Sequence, residues 1–163
     1  MKKTFSMIAL IVVLLSTVSA HTDVDFRVSE GMKAPRFEVK GVDGLTVSPS
    51  DMKGRFVIVN FWSSTDADSR IAVDFYNNYV DAQPSGKISL VSINIDSDKK
   101  LIGEIMRRDR LNVNSQYTFD AGQSQDIIRR NNLDRGVNSY LVSPEGRIVA
   151  VNPSLSTIRT FVK

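Results

Sequence analysis

The stretch Arg55-Phe56-Val57-Ile58-Val59-Asn60-Phe61-Trp62-Ser63-Ser64-Thr65-Asp66-Ala67-Asp68-Ser69-Arg70 decides the fold. Its first half is an apolar run with Asn60 as its one polar member, bounded by Gly54 and a polar cluster. It is too short to cross a bilayer. Such a run reads as a strand buried on both faces, which requires a sheet with helices above and below it. The second half is rich in residues that start helices. A strand that hands the chain to a helix N-terminus marks the edge where open α/β folds place their chemistry.

Upstream, Gly31-Met32-Lys33-Ala34-Pro35-Arg36-Phe37-Glu38-Val39 enters the domain. Pro35 forces an extended approach, and Phe37 and Val39 alternate like a half-buried strand. Gly41-Val42-Asp43-Gly44 is turn chemistry leading to a short strand at Leu45 to Val47. Ser48-Pro49-Ser50-Asp51 reads as a helix start, with Ser48 as N-cap, and Gly54 stops that turn.

Downstream, the spacing predicts a helix from between Ser64 and Asp66 to about Asp81. Its apolar stripe is Ala72, Phe75, Tyr76, Tyr79 and Val80, read as core. A strand follows from Lys87 to Asp96. Asp96-Ser97-Asp98 caps a helix carrying Leu101, Ile102, Ile105 and Met106. Tyr117-Thr118-Phe119-Asp120 is a short strand, and Asp120-Ala121-Gly122 turns into a helix with Ile127 and Ile128. Ser139 to Ser143 and Arg147 to Val151 form a hairpin around Pro144-Glu145-Gly146, before a last segment with Leu155, Ile158, Phe161 and Val162.

Several of these segments resemble one family in the same order. Phe61-Trp62 followed by a polar linker and Arg70 is similar to the F-W-A-x-W-C-x-P-C-R segment of TlpA/ResA-like thiol-disulfide oxidoreductases. These belong to the thioredoxin superfamily, close to the alkyl-hydroperoxide-reductase/thiol-specific-antioxidant (AhpC/TSA) group. Gly31 to Phe37 resembles their G-x-x-A-P-x-F opening, and Tyr140 to Ile148 the second half of V-x-G-x-P-T-x-F-L-I-D-x-x-G-x-I. The resemblance runs from about Gly31 to Val151. It implies an α/β thioredoxin-like fold, a central mixed β-sheet flanked by helices on both faces, over residues 31–163.

The same alignment places the family's two cysteines on Asp66 and Ser69, its flanking tryptophan on Thr65, and its cis-proline on Val137. Cis bonds before residues other than proline cost about 2.5–4 kcal/mol, so the bond before Val137 is expected to be trans. The chain contains no cysteine at all. Disulfide exchange and thiol-based peroxide reduction both need a thiolate, so both are excluded. Its one histidine, His21, lies ahead of the domain, which excludes Ser-His-Asp and Cys-His machinery and Cys/His zinc sites.

Residues 1–20 read as a Sec-type signal peptide: Lys2 and Lys3, an apolar Ile8 to Leu15, and Val18-Ser19-Ala20 as cleavage site. Cleavage would make His21 the mature N-terminus and leave the protein periplasmic or otherwise exported, without a stable membrane anchor. Residues 21–30 read as a flexible lead-in. Loss of two lysines leaves 19 basic and 18 acidic residues, a formal charge of +1. No nucleic-acid footprint follows from that balance. Arg107-Arg108-Asp109-Arg110 and Arg129-Arg130 read as solvated helix faces, with an acidic partner as the alternative.

Two readings remain for the altered site. In the first, Ser64, Thr65 and Asp66 cap the helix, with Thr65 and Asp68 spaced as in a capping box, and Ser69 fills the space of the second cysteine. The protein is then a non-catalytic binding or scaffolding module for an unknown protein or peptide. Its binding candidates are Trp62, Thr65, Asp66, Asp68, Gly136 and Asn138. In the second, it is an enzyme of another class using Asp66 or Asp68. Two carboxylates fall far short of a calcium ligand set, so neither a metal nor a cofactor is expected. A decaying paralogue without a selected role is a third option.

Overall fold

The computed structural model describes residues 28–119 and 121–163. The expected signal peptide, its cleavage site, His21 and Asp120 lie outside the described residues.

Seven strands form one sheet: β1 (Val39–Gly41), β2 (Thr46–Val47), β3 (Phe56–Trp62), β4 (Ile88–Asn94), β5 (Gln116–Thr118), β6 (Ser139–Val142) and β7 (Ile148–Val151). Their order is β2-β1-β5-β4-β3-β6-β7. The apolar run is the interior strand β3. It pairs parallel with β4 from Phe56↔Ile88 to Trp62↔Asn94, and antiparallel with β6 from Val57↔Val142 to Asn60↔Ser139. Four helices complete the α/β fold: α1 (Ala67–Asp81), α2 (Lys99–Arg108), α3 (Ser124–Arg130) and α4 (Leu155–Phe161).

Alternation along β3 sends side chains to two cores. Val57, Val59 and Phe61 pack with Phe37, Tyr140, Ile148 and Ile127 of α3. The Phe61 ring lies 6.2 Å from Phe37 and 6.4 Å from Tyr140, centroid to centroid. On the opposite face Ile58 meets Tyr76 and Tyr79 of α1 and Ile158 of α4. Trp62 meets Val73 of α1 and Ile102, Ile105 and Met106 of α2. Helices therefore cover both faces of a mixed sheet. Each fully buried aliphatic side chain contributes about 1.5–3 kcal/mol, an upper estimate because the unfolded chain is already partly compact.

Several expectations change in detail. Packing begins earlier than the expected lead-in allows: Val28 is buried, and its N–H donates to Asn132 Oδ1 at 2.6 Å. The polar average of residues 21–30 hides this one anchor. On α1, Phe75 is 55% exposed whereas Val73 is buried. At about 100° per residue, the sheet-facing stripe centres on Val73, Tyr76 and Val80, and Phe75 falls outside it. Asn77 shares that stripe because its Oδ1 accepts from the Asn112 N–H and the Ser115 hydroxyl. Ser48 precedes a short 3-10 turn, but its hydroxyl meets Ser50 Oγ rather than capping. Of Asp96 and Asp98, only Asp98 caps α2, accepting from Lys100 N and Leu101 N. No helix among the described residues is long and apolar enough to cross a membrane.

Candidate functional site

The C-terminal end of β3 carries the chain out of the sheet at Trp62 and into α1 at Ala67. Asp66 is the N-cap, extended at φ −101°, and its Oδ1 accepts from Asp68 N at 3.0 Å. Of the three capping candidates, Asp66 thus makes the cap. Thr65 bonds instead to Ser63, through Oγ1 to Oγ at 3.0 Å. Asp68 stands in the first turn, where the helix dipole favours a carboxylate.

Ser69 closes the turn on itself. Its hydroxyl accepts from Ser63 N at 3.1 Å and lies within donating distance of Asp66 O, 3.1 Å, and Ser63 O, 3.3 Å. The position that the resemblance assigns to a cysteine thus holds a short hydroxyl with local backbone partners.

The residue that organises the turn is Asp96, beyond the end of β4. Its Oδ1 accepts from Ser63 Oγ at 2.7 Å and its Oδ2 from Ser64 N at 2.5 Å and Asn94 Nδ2 at 3.3 Å. Asn94 Nδ2 also reaches Ser64 Oγ at 3.2 Å, and Asn94 Oδ1 accepts from Asp96 N at 2.7 Å. Partial burial pushes the Asp96 carboxyl upward, but the hydrogen bonds from Ser64, Ser63 and Asn94 outweigh it and hold its pKa below the ordinary value. Sequence reading placed Asp96 in the cap of α2. The parallel register Trp62↔Asn94 brings it to the β3 exit instead.

Beside this turn lies the loop at Gly136 to Asn138. Phe61 N donates to Asn138 O at 2.9 Å, which joins the loop to the end of β3. No cis peptide occurs among the described residues, so the Gly136–Val137 bond is trans. Asn152, left-handed at φ 45°, clamps the loop from the far side. Its Oδ1 accepts from Asn138 N at 2.8 Å and Ser139 N at 3.0 Å, and its Nδ2 donates to Gly136 O at 2.9 Å. The sequence reading missed Asn152. Its only sequence signal was an asparagine just past a strand, a residue type that tolerates the left-handed region.

Thr65, Asp66, Asp68, Gly136 and Asn138 are exposed, while Val137 is buried. Trp62, counted among the binding candidates, is 1% exposed and belongs to the core against α2, so it presents no surface to a partner. Even numbering along β3 turns it toward α1 and α2. Among the described residues, its indole Nε1 has no hydrogen-bond partner. Behind the turn, Arg70 grips Asp109 through two nitrogens, with Nε–Oδ2 at 2.9 Å and Nη2–Oδ1 at 2.8 Å, tying α1 to the end of α2. Among the described residues, no group of three or more His, Asp or Glu side chains could hold a metal ion.

The fold and this site define a thioredoxin-like domain whose thiol pair is missing. The chain belongs to the AhpC/TSA family, whose model matches residues 31–151. It is 24% identical over 124 residues to thiol-disulfide oxidoreductase ResA of Bacillus subtilis, covering 76% of this chain and 67% of ResA. A candidate peroxiredoxin of Mycobacterium tuberculosis is 39% identical over 77 residues, 46% of this chain and 48% of that protein. The chain thus matches only about half the length of that relative. The thioredoxin domain of a thiol-disulfide oxidoreductase from Bacteroides vulgatus superposes with a TM-score of 0.74 at 23% identity, covering 84% of this chain and 100% of that domain. That likeness establishes the shared fold.

Proposed function

We propose that this protein is an exported, redox-inactive binding or scaffolding module that presents Thr65, Asp66, Asp68, Gly136 and Asn138 to a protein or peptide partner. One observation carries the reading. At the turn where the family resemblance places a reactive thiol pair, Asp66 caps its own helix and Ser69 bonds to its own loop. Without sulfur no mixed disulfide forms. The exposed rim around the turn remains, on a rigid support suited to binding. Export is supported by the charged start, short apolar core and small-residue site of residues 1–20.

The enzymatic alternative gains no support from the geometry. Asp66 is engaged in the cap, and the chain's one histidine precedes the domain. The test is photo-crosslinking in the native host, with a crosslinker placed at Thr65, at Asn138 and, as control, at exposed Thr160 on α4. A discrete adduct from the first two positions and not the third is expected. The same adducts from Thr160, or none from Thr65 and Asn138, would sink the rim as a binding surface. Mass spectrometry of the exported protein should find His21 as its first residue. Retention of Met1 would argue against cleavage.

A further inference from the structure

A groove of about 640 Å3 lies between α2 and the β1–β2 turn. Ile102, Met106 and Leu111 give it a buried apolar lining, and Val42 and Val113, 56% and 54% exposed, form apolar lips. Its rim carries Lys40, Lys99, Arg107 and Arg110, all exposed. No carboxylate lines it. Among the described residues, none of these four cations makes an ion pair. Elsewhere Arg108 and Arg70 pair with Asp109, Arg36 with Asp51, and Arg129 and Arg130 with Asp126. The groove therefore concentrates unpaired positive charge in a chain of nearly balanced composition.

Arg110 adds an independent sign. It sits just past the end of α2 in the left-handed region, φ 53°, where Leu111 N bonds back to Met106 O at 3.0 Å. This is the position at a helix end that glycine ordinarily takes. An arginine there accepts backbone strain and adds a guanidinium to the groove.

We propose that this groove binds an extended acidic peptide segment of a partner protein, with an apolar side chain of that segment seated over Ile102 and Met106. Charge complementarity selects the sign of the ligand. Geometry selects its form. Lys99 and Arg107, eight residues apart on α2, stand about 12 Å apart along the helix axis. An extended chain at about 3.3 Å per residue spans that separation in about four residues. None of the rim residues proposed above lines this groove, so the two sites stand or fall separately.

The test uses the whole protein and a fluorescent ten-residue peptide carrying five glutamates around one leucine and one phenylalanine. Its controls are the same peptide with glutamines, and sodium dodecanoate as a single-headgroup competitor. Fluorescence anisotropy at low salt should show the glutamate peptide binding about tenfold more tightly than the glutamine peptide. The Arg107→Glu/Arg110→Gly variant should weaken it about tenfold, and high salt should weaken it too. Arg110→Gly alone should bind less tightly while melting at the same or a higher temperature, because glycine suits the left-handed position. That variant separates binding from folding. Equal binding of both peptides, no detectable binding, or unchanged binding in the double variant would overturn the proposal. So would displacement of the peptide by dodecanoate at equimolar concentration, which would assign the groove to single-chain amphiphiles.

Discussion

The turn between β3 and α1 and the groove over α2 handle polar residues in opposite ways. At the turn, Ser63, Ser64, Ser69, Asn94 and Asp96 bond to one another and to the local backbone. At the groove, four exposed cations lie over apolar side chains with no carboxylate among the lining residues. The first arrangement fixes a conformation, because breaking one member strands the others in a partly dry setting. The second fixes nothing in the fold, since water solvates each charge, and it stays available to an outside ligand. Where the family resemblance puts chemistry, the polar side chains are bonded among themselves, whereas the four cations of the groove have no ion-pair partner among the described residues.

Ile58→Asp should unfold the domain, because it puts an unpaired charge at 0% exposure between α1 and α4. Circular dichroism should show loss of the cooperative thermal transition. A variant as stable as the parent would contradict the interior placement of β3.

Asp96→Asn tests the turn itself. The new amide N–H2 group would face the donors Ser63 Oγ–H or Ser64 N–H, at a cost of about 1–3 kcal/mol. The pH dependence follows from the lowered folded-state pKa of Asp96. Its stabilising contribution is full above the ordinary value of 3.8 and is lost as pH falls through the lower folded value. The gap between parent and variant in denaturant melts should therefore persist at pH 7 and shrink below pH 3.8. A gap unchanged at lower pH would mean that Asp96 acts without its charge.

Asp66→Cys/Ser69→Cys sharpens the comparison with the smallest stability change. Loss of the Asp66 cap costs about 1 kcal/mol. A disulfide should form but turn over slowly beside a ResA-like relative, because Asp68 disfavours the attacking thiolate and Val137 replaces the cis-proline of the resembled motif. The helix N-terminus pulls the other way. Turnover equal to that of the relative in a disulfide-reduction assay would show that only the cysteines had been lost.

The sequence carried the main architecture because its signals there are local. The run from Phe56 to Trp62 is apolar but for Asn60, Asp66 precedes a long helical pattern, and Pro144-Glu145-Gly146 separates two apolar strands. The absence of thiol chemistry is a matter of composition and needs no coordinates. Phase errors entered where a helix had more apolar residues than sheet-facing positions, as Phe75 and Val73 show.

What tertiary structure alone decided lies in contacts between distant segments. Asp96 reaches Ser63 across 33 residues because β3 and β4 run parallel and end together. Asn152 reaches Gly136 across 16 because β6 and β7 fold back as a hairpin. The cationic groove gathers Lys40 from β1 and Lys99, Arg107 and Arg110 from α2 and its end. Periodicity and composition report which face of one element is apolar. They do not report which elements become neighbours, and strand register sets that.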